Sequence, residues 1–206
     1  MAVAARLAKM THIQCFAHSL NLASQKALKI PQVSRLLGRI KRVTAFFRRS
    51  AIASHQLKLK QEQLQLPKHK LITDVVTRWN SSYDMTERFL EQQPAICAAL
   101  LSNEVRKNEK DIFTLSEADI SCAEEVLKAL KPMKDATLLM SEESTPTLSL
   151  IAPLRAKLIM AAEHSPNDSE TSKDIKSKVG LKRGNCFSYH ILMMVSQPSA
   201  SHLKRN

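Results

Sequence analysis

Ile72-Thr73-Asp74-Val75-Val76-Thr77-Arg78-Trp79-Asn80-Ser81-Ser82-Tyr83-Asp84-Met85 holds the only tryptophan of the chain, and the reading of this stretch decides the fold. β-Branched residues fill its first half, the Arg78-Trp79 pair ends them, and two serines and an acid follow in the pattern that opens a helix. The spacing predicts a strand from Leu71 to Thr77 that hands over to a helix beginning at Ser82. Trp79 then stands at a strand end, where scaffolds place functional side chains. Beside Arg78 its ring can stack on a nucleic-acid base or pack into the interior, and composition favours packing.

Upstream of this stretch the charge is one-sided. From Met1 to Gln61 there are twelve Lys or Arg residues and no acid; the first acid is Glu62. The other 19 bases are balanced by the chain's 19 acids, so the whole net charge of +12 belongs to the first third. Within it Val33, Leu36, Leu37, Ile40, Val43 and Phe47 recur at helical spacing, and residues Pro31 to Ser54 read as one amphipathic helix with Pro31 in its first turn. Arg35, Arg39, Arg42 and Arg49 fall within about 80° of one another on the face opposite that stripe. A row of guanidinium groups suits phosphates, because each is permanently charged and donates paired hydrogen bonds. The plainer reading is a solvated helix face, or one paired with acids from elsewhere in the chain.

A hydrophobic content of 44% is enough for a packed core rather than a disordered chain, and 3 glycines among many Leu, Ala, Lys and Gln favour helix over an all-β design. No apolar run approaches the length of a membrane span, so a membrane partner is not expected. The four cysteines, Cys15, Cys97, Cys122 and Cys186, show no tight pairing, which fits a reducing compartment.

His12 to Phe16 reads as a first short strand and Ala17 to Lys29 as the helix after it. Lys58 to Lys70 reads as a polar connection interrupted by Pro67. Beyond the Arg-Trp stretch the pattern is helical: Ser82 to Gln93, a turn or kink at Pro94, then Ala95 to Leu101. Ser116, with Glu117 and Asp119 behind it, starts another helix, which Pro132 is expected to kink or end. A further helix carries Pro153, and residues Glu163 to Lys178 turn polar. The section from Gly180 to Asn206 has no clear period and reads as a divergent, poorly ordered tail.

Catalytic and metal constellations are thin. Cys15 and His18 form a Cys-x-x-His pair, half of a zinc site, and the only other half on offer, Cys186 with His190, lacks the short spacing of a zinc finger. No metal or cofactor is expected. Cys15 as a nucleophile with His18 has neither an orienting third group nor an oxyanion site. Metal-dependent phosphoryl transfer needs converging carboxylates, and Asp74 and Asp84 are better explained as a strand residue and a first-turn helix residue.

Three blocks carry a resemblance. His12-Ile-Gln-Cys-Phe-Ala-His-Ser-Leu-Asn-Leu-Ala23, then Asp74-Val-Val-Thr-Arg-Trp-Asn-Ser-Ser-Tyr83, then Leu139-Met-Ser-Glu-Glu-Ser-Thr-Pro-Thr-Leu-Ser149 resemble, in order and approximate spacing, the hAT-type DNA transposases, and within them the domesticated zinc finger BED-type proteins. The resemblance covers about Thr11 to Val179. It implies a fold that is mainly α with a small β component: a partial ribonuclease H-like core over residues 1–85, interrupted by an all-helical insertion over 86–179, with 180–206 as the divergent tail. Cys15 and His18 match the family's Cys-x-x-His motif, and Arg78 with Trp79 its Arg-Trp motif. In active relatives that tryptophan lies near the flipped base or hairpin at a transposon end, which brings a DNA-facing Trp79 level with a packed one.

The departures bear on activity. The family's two catalytic Asp residues precede the Cys-x-x-His block and its final Glu lies near a C-terminal dimerisation segment; none of these, nor the BED finger, is found here. The resemblance therefore implies a catalytically inactive, transposase-derived nuclear protein that associates with DNA, with a transcription-regulatory role open to it; the candidate contacts are Arg35, Arg39, Arg42 and Arg49 from the charge pattern, with Arg78 and Trp79 nearby. Its two strands would lack pairing partners and expose their edges. The rival readings are a protein-interaction scaffold through the helical region and a fragment of an active hAT transposase.

Overall fold

The computed structural model of the chain describes residues 15–75, 77–107, 114–141 and 147–179. Among them are eight helices: α1 (Phe16–Leu28), α2 (Pro31–Arg49), α3 (Ala51–Gln63), α4 (Trp79–Leu100), α5 (Asn103–Arg106), α6 (Glu117–Met140), α7 (Thr147–Ala161) and α8 (Glu170–Val179). No strand occurs among the described residues. The expected small β component and ribonuclease H-like sheet are therefore corrected to an all-helical fold.

The physical reason lies in the opening stretch itself. Leu71 to Val75 forms no strand and pairs with no neighbour among the described residues, and side chains take the place of a ladder. The Val75 N–H donates to Ser81 Oγ at 2.8 Å. Asp74 accepts from the Ser81 and Ser82 hydroxyls at 2.9 and 2.7 Å, and Arg48 of α2 donates to Thr73 Oγ1. β-Branched residues favour extended backbone, yet a strand exists only if a second strand lies beside it. The other expected strand fails at its end: Phe16 is the first residue of α1, and Cys15 is its extended N-cap. Residues 12–14 lie outside the described residues, as does the tail over 180–206.

α4 and α6 organise the packing. α4 lies against α1, α2, α3, α5 and α6, while α6 lies against α1, α2, α4, α7 and α8. Accordingly α4 is buried on several sides, with Met85, Phe89, Ala95, Ile96 and Ala99 inaccessible or nearly so, and it runs unbroken across position 85. Pro94 sits inside α4 and Pro132 inside α6, and neither ends its helix. A mid-helix proline costs about 3 kcal/mol, but burial on both sides of each outweighs it: Phe89, Ala95 and Ile96 around one, Leu130, Met133 and Ala136 around the other.

The basic helix is shorter than its pattern suggests. α2 stops at Arg49, and Ser50 turns the chain and caps α3 by accepting from the Ala53 N–H at 3.2 Å. α3 takes in much of the stretch read as a polar connection, because Ala53, Leu57 and Gln61 fall on one face and are buried. It ends at Gln63, and two residues on Gln65, with a φ of 53°, lies in the left-handed region while the Leu66 N–H returns to the Gln61 carbonyl at 2.8 Å. α6 begins as expected at Ser116, where a capping box joins its hydroxyl and backbone to Asp119.

One feature of the core makes stability pH-dependent. Tyr83 of α4 is 5% exposed, lies edge-on to Trp79 and has the Lys134 ammonium 5.8 Å from its ring centre. Burial, with Glu87, Asp135 and Asp84 nearby, pushes its phenol up from 10.0 to about 12. The folded protein thus holds this proton where the unfolded chain releases it, so its contribution is complete below about pH 10 and is lost as pH rises toward 12. We expect Tyr83→Phe to flatten that alkaline decline relative to the parent chain, read as the urea midpoint against pH.

Candidate nucleic-acid interface

The expected arginine row survives in part. Arg35, Arg42 and Arg49 are exposed on α2, and neither Arg42 nor Arg49 has an ion-pair partner among the described residues. Arg35 Nε donates to the Pro31 carbonyl of its own helix at 3.2 Å, which leaves its charge facing solvent. Arg39 is diverted: it pairs with Asp119 at the start of α6. Burial alone would raise the Asp119 carboxyl, but the Ser116 hydrogen bonds and the Arg39 charge outweigh it and hold that group below its ordinary value. Arg39 thus works as a clamp between α2 and the capping box.

Phe46 lies within the same arc yet is 6% exposed, packed edge-on to Phe47 with centroids 5.5 Å apart. The row is therefore broken between Arg42 and Arg49. Arg49 also stands in the last turn of α2, where a cation complements the helix dipole.

On the adjacent face of α2 a groove of about 410 Å³ opens between α1, α2 and the start of α4. Lys29, Gly38, Lys41, Asp74, Trp79 and Ser82 line it. Lys41 stands 3.5 Å from Asp74, which is already held by two serine hydroxyls. Gly38 is mid-helix, where glycine costs about 1 kcal/mol relative to alanine, and a Cβ there would meet nothing within 4 Å. Lys29, Lys41 and Gly38 carry no local signal in the sequence, since only the fold brings α1 and the Arg-Trp stretch to this side of α2.

Arg78 is exposed as the N-cap residue of α4, and Trp79 is the first residue of that helix. Trp79 is 4% exposed and lies edge-to-face on Tyr83, with centroids 6.4 Å apart and planes at 79°. Arg78 and Trp79 therefore part company, the guanidinium outside and the indole in the core. The indole sits at a helix start rather than at a strand end.

Cys15 and His18 are both exposed in the N-terminal turn of α1. Among the described residues no three His, Cys, Asp or Glu side chains converge as metal ligands would. Cys186 and His190 lie outside the described residues. Asp84 accepts from Lys134 Nζ at 2.7 Å, so both carboxylates of the Arg-Trp stretch are engaged in holding helices together. No helix among the described residues is long and apolar enough to cross a membrane.

Comparison with known proteins places this arrangement. The family described as ZBED1 RNase-like helical domain matches residues 13–129, from just before α1 into α6, and the word helical agrees with the fold seen here. The chain is 33% identical over 145 residues to human zinc finger BED domain-containing protein 4, covering 69% of this chain and 12% of that protein. It is 29% identical over 140 residues to the protein named "Putative AC transposase" of Zea mays, covering 68% of this chain and 17% of that protein. The chain thus spans less than a fifth of the length of either relative. No solved structure matches it. With more than half of its residues inside that family's bounds, the chain belongs to the ZBED1 RNase-like helical domain family and is a transposase-derived, hAT- and BED-type protein.

Proposed function

We propose that the chain is a nuclear, DNA-associated module that holds the duplex by its phosphates and does not cut it. The observation that carries this is the exposed guanidinium set of Arg35, Arg42 and Arg49 on a helix drawn from a stretch without a single acid before Glu62. Exposed arginines with no internal acid keep their full charge for an outside anion, and phosphate geometry matches the guanidinium fork. Arg78, at the mouth of α4, adds a fourth cation. One relative is named as a transposase, an activity exercised on DNA, which makes nucleic acid the natural anion. The nuclear placement follows from the same reading.

Contacts of this kind position a duplex without reading its sequence. Trp79 enters this account as a support: its burial fixes the start of α4, and through Asp74, Ser81 and Ser82 the start of α4 fixes the loop under α2. The absence of cutting is supported by the use made of Asp74 and Asp84, whose carboxylates are occupied by serine and lysine side chains.

The test is anisotropy of a labelled duplex titrated with the full chain at low salt. The triple variant Arg35→Glu, Arg42→Glu, Arg49→Glu is expected to bind more weakly by a factor of about ten or more. Arg39 is left out of the set because reversing it would also disturb Asp119 and the start of α6. An unchanged affinity in a variant of normal helicity removes α2 as the interface.

A further inference from the structure

Away from the basic face, α6 and α7 leave a second groove of about 260 Å³ between them. Its floor is apolar: Pro132, Ala136 and Leu139 from α6 meet Leu154 and Leu158 from α7. Leu139 is 38% exposed and its neighbour Leu138 is 56% exposed, so this apolar surface continues out of the groove onto the helix. The rim is cationic. Lys128 and Lys131 stand on the α6 side and Lys157 on the α7 side, with Asp135 the one acid among the lining residues. Lys131 lies 3.9 Å from Asp135 in an exposed i, i+4 pair, which sets one cation of the rim against its one acid. Lys128 and Lys157 have no ion-pair partner among the described residues, and they place one uncompensated cation on each bank.

The geometry points to an acidic amphipathic helix of a partner protein as the occupant of this groove. Its α6 wall runs from Lys128 to Leu139, about 16 Å at 1.5 Å per residue, which is three turns of a docked helix. Three turns present apolar anchors at i, i+4 and i+7 to the leucine floor, the mode in which a helix seats in a hydrophobic groove. Acids on the two flanks of that helix then meet Lys128 on one bank and Lys157 on the other. A nucleic acid fits worse, because a backbone of phosphates has nothing to place against Leu139, Leu154 and Leu158. Charge gives the site its selectivity while the apolar floor supplies most of the attraction.

The test uses the full chain and a labelled helical peptide with leucines at i, i+4 and i+7 and glutamates on both flanks, beside a twin whose flanks are lysines. Saturable binding of the glutamate peptide is expected, weakened roughly tenfold in the double variant Lys128→Glu, Lys157→Glu, whereas the lysine twin prefers that variant by a similar factor. Leu139→Ser should weaken both peptides on their preferred partners, and far-UV circular dichroism of each variant establishes that the helices remain. Equal binding of the two peptides, or binding of neither, overturns the proposal. Displacement of the glutamate peptide by duplex DNA assigns the rim to nucleic acid and overturns it as well. Self-association of the chain that excludes the peptide gives the groove to a second copy and likewise overturns the proposal.

Discussion

Trp79→Ala is expected to destabilise the chain by about 3–5 kcal/mol, the range for removing a large aromatic from a packed site. The indole is 4% exposed, starts α4 and stacks edge-on against Tyr83, itself 5% exposed. Its removal leaves a void on the α1–α2 side that the surrounding helices cannot close without moving the loop held by Asp74, Ser81 and Ser82. Trp79→Phe should recover a large part of the loss, since a smaller ring can still meet Tyr83. Urea denaturation followed by circular dichroism measures both variants. As the chain's only tryptophan, Trp79 also gives the parent protein a clean probe: blue-shifted emission when folded, moving to the red on unfolding. A loss below about 0.5 kcal/mol in Trp79→Ala, the size of a typical surface substitution, would mean that the ring is not part of the core.

Gln92→Ala is the second large effect, at about 2–3 kcal/mol, from one N–H of the buried Gln61 amide left without its acceptor and from the void left by a fully buried side chain. Gln61 of α3 and Gln92 of α4 are 1% and 0% exposed and form an amide relay. Gln61 Nε2 donates to Gln92 Oε1 at 2.8 Å and to the His69 carbonyl at 2.9 Å; Gln92 Nε2 donates to the Pro67 carbonyl at 3.1 Å. This relay fastens the α3–α4 connection, which has no helix or strand among its described residues, onto the helices at its two ends. Truncating Gln92 takes a partner from both the Gln61 amide and the Pro67 carbonyl. The pair should therefore be strongly non-additive: Gln61→Ala with Gln92→Ala should cost less than the sum of the single changes, by about 1 kcal/mol or more. Additivity in denaturation midpoints would show that the two amides act independently.

Parts of this fold are legible in local sequence. The stripe Val33, Leu36, Ile40, Val43 and Phe47 encodes α2 and its buried side, and Ser116 with Asp119 encodes the start of α6. The direction in which the arginines of α2 point follows from the same period. What they meet does not: Arg39 pairs with a residue 80 positions away, and no local signal distinguishes it from Arg35 or Arg42. The strand reading of Leu71 to Thr77 fails for a related reason. A β-branched run specifies extended backbone but carries no information on whether another strand will lie alongside, and here serine and aspartate side chains take up the hydrogen bonds. Pro94 and Pro132 mislead because a proline's cost is local while the burial that offsets it is set by the whole bundle. α8 is hidden in the opposite way: Thr171, Ile175 and Val179 sit one turn apart and are buried, but the serines and lysines between them dominate the composition.

The Arg-Trp pair shows the same division. Its place in the sequence carries the resemblance, while the packing of α4 buries the indole of Trp79. The cationic role then rests with the guanidinium groups on α2, together with Arg78, rather than with a stacking ring.

The most direct measurement of the account is the dependence of duplex affinity on salt, for the parent chain and for the variant reversed at Arg35, Arg42 and Arg49. If those three side chains each neutralise a phosphate, the logarithm of the parent's binding constant should fall with the logarithm of salt concentration more steeply than the variant's, by a slope difference of about 3. Equal slopes in the two proteins, or a parent chain that fails to bind duplex DNA at low salt, would contradict the account.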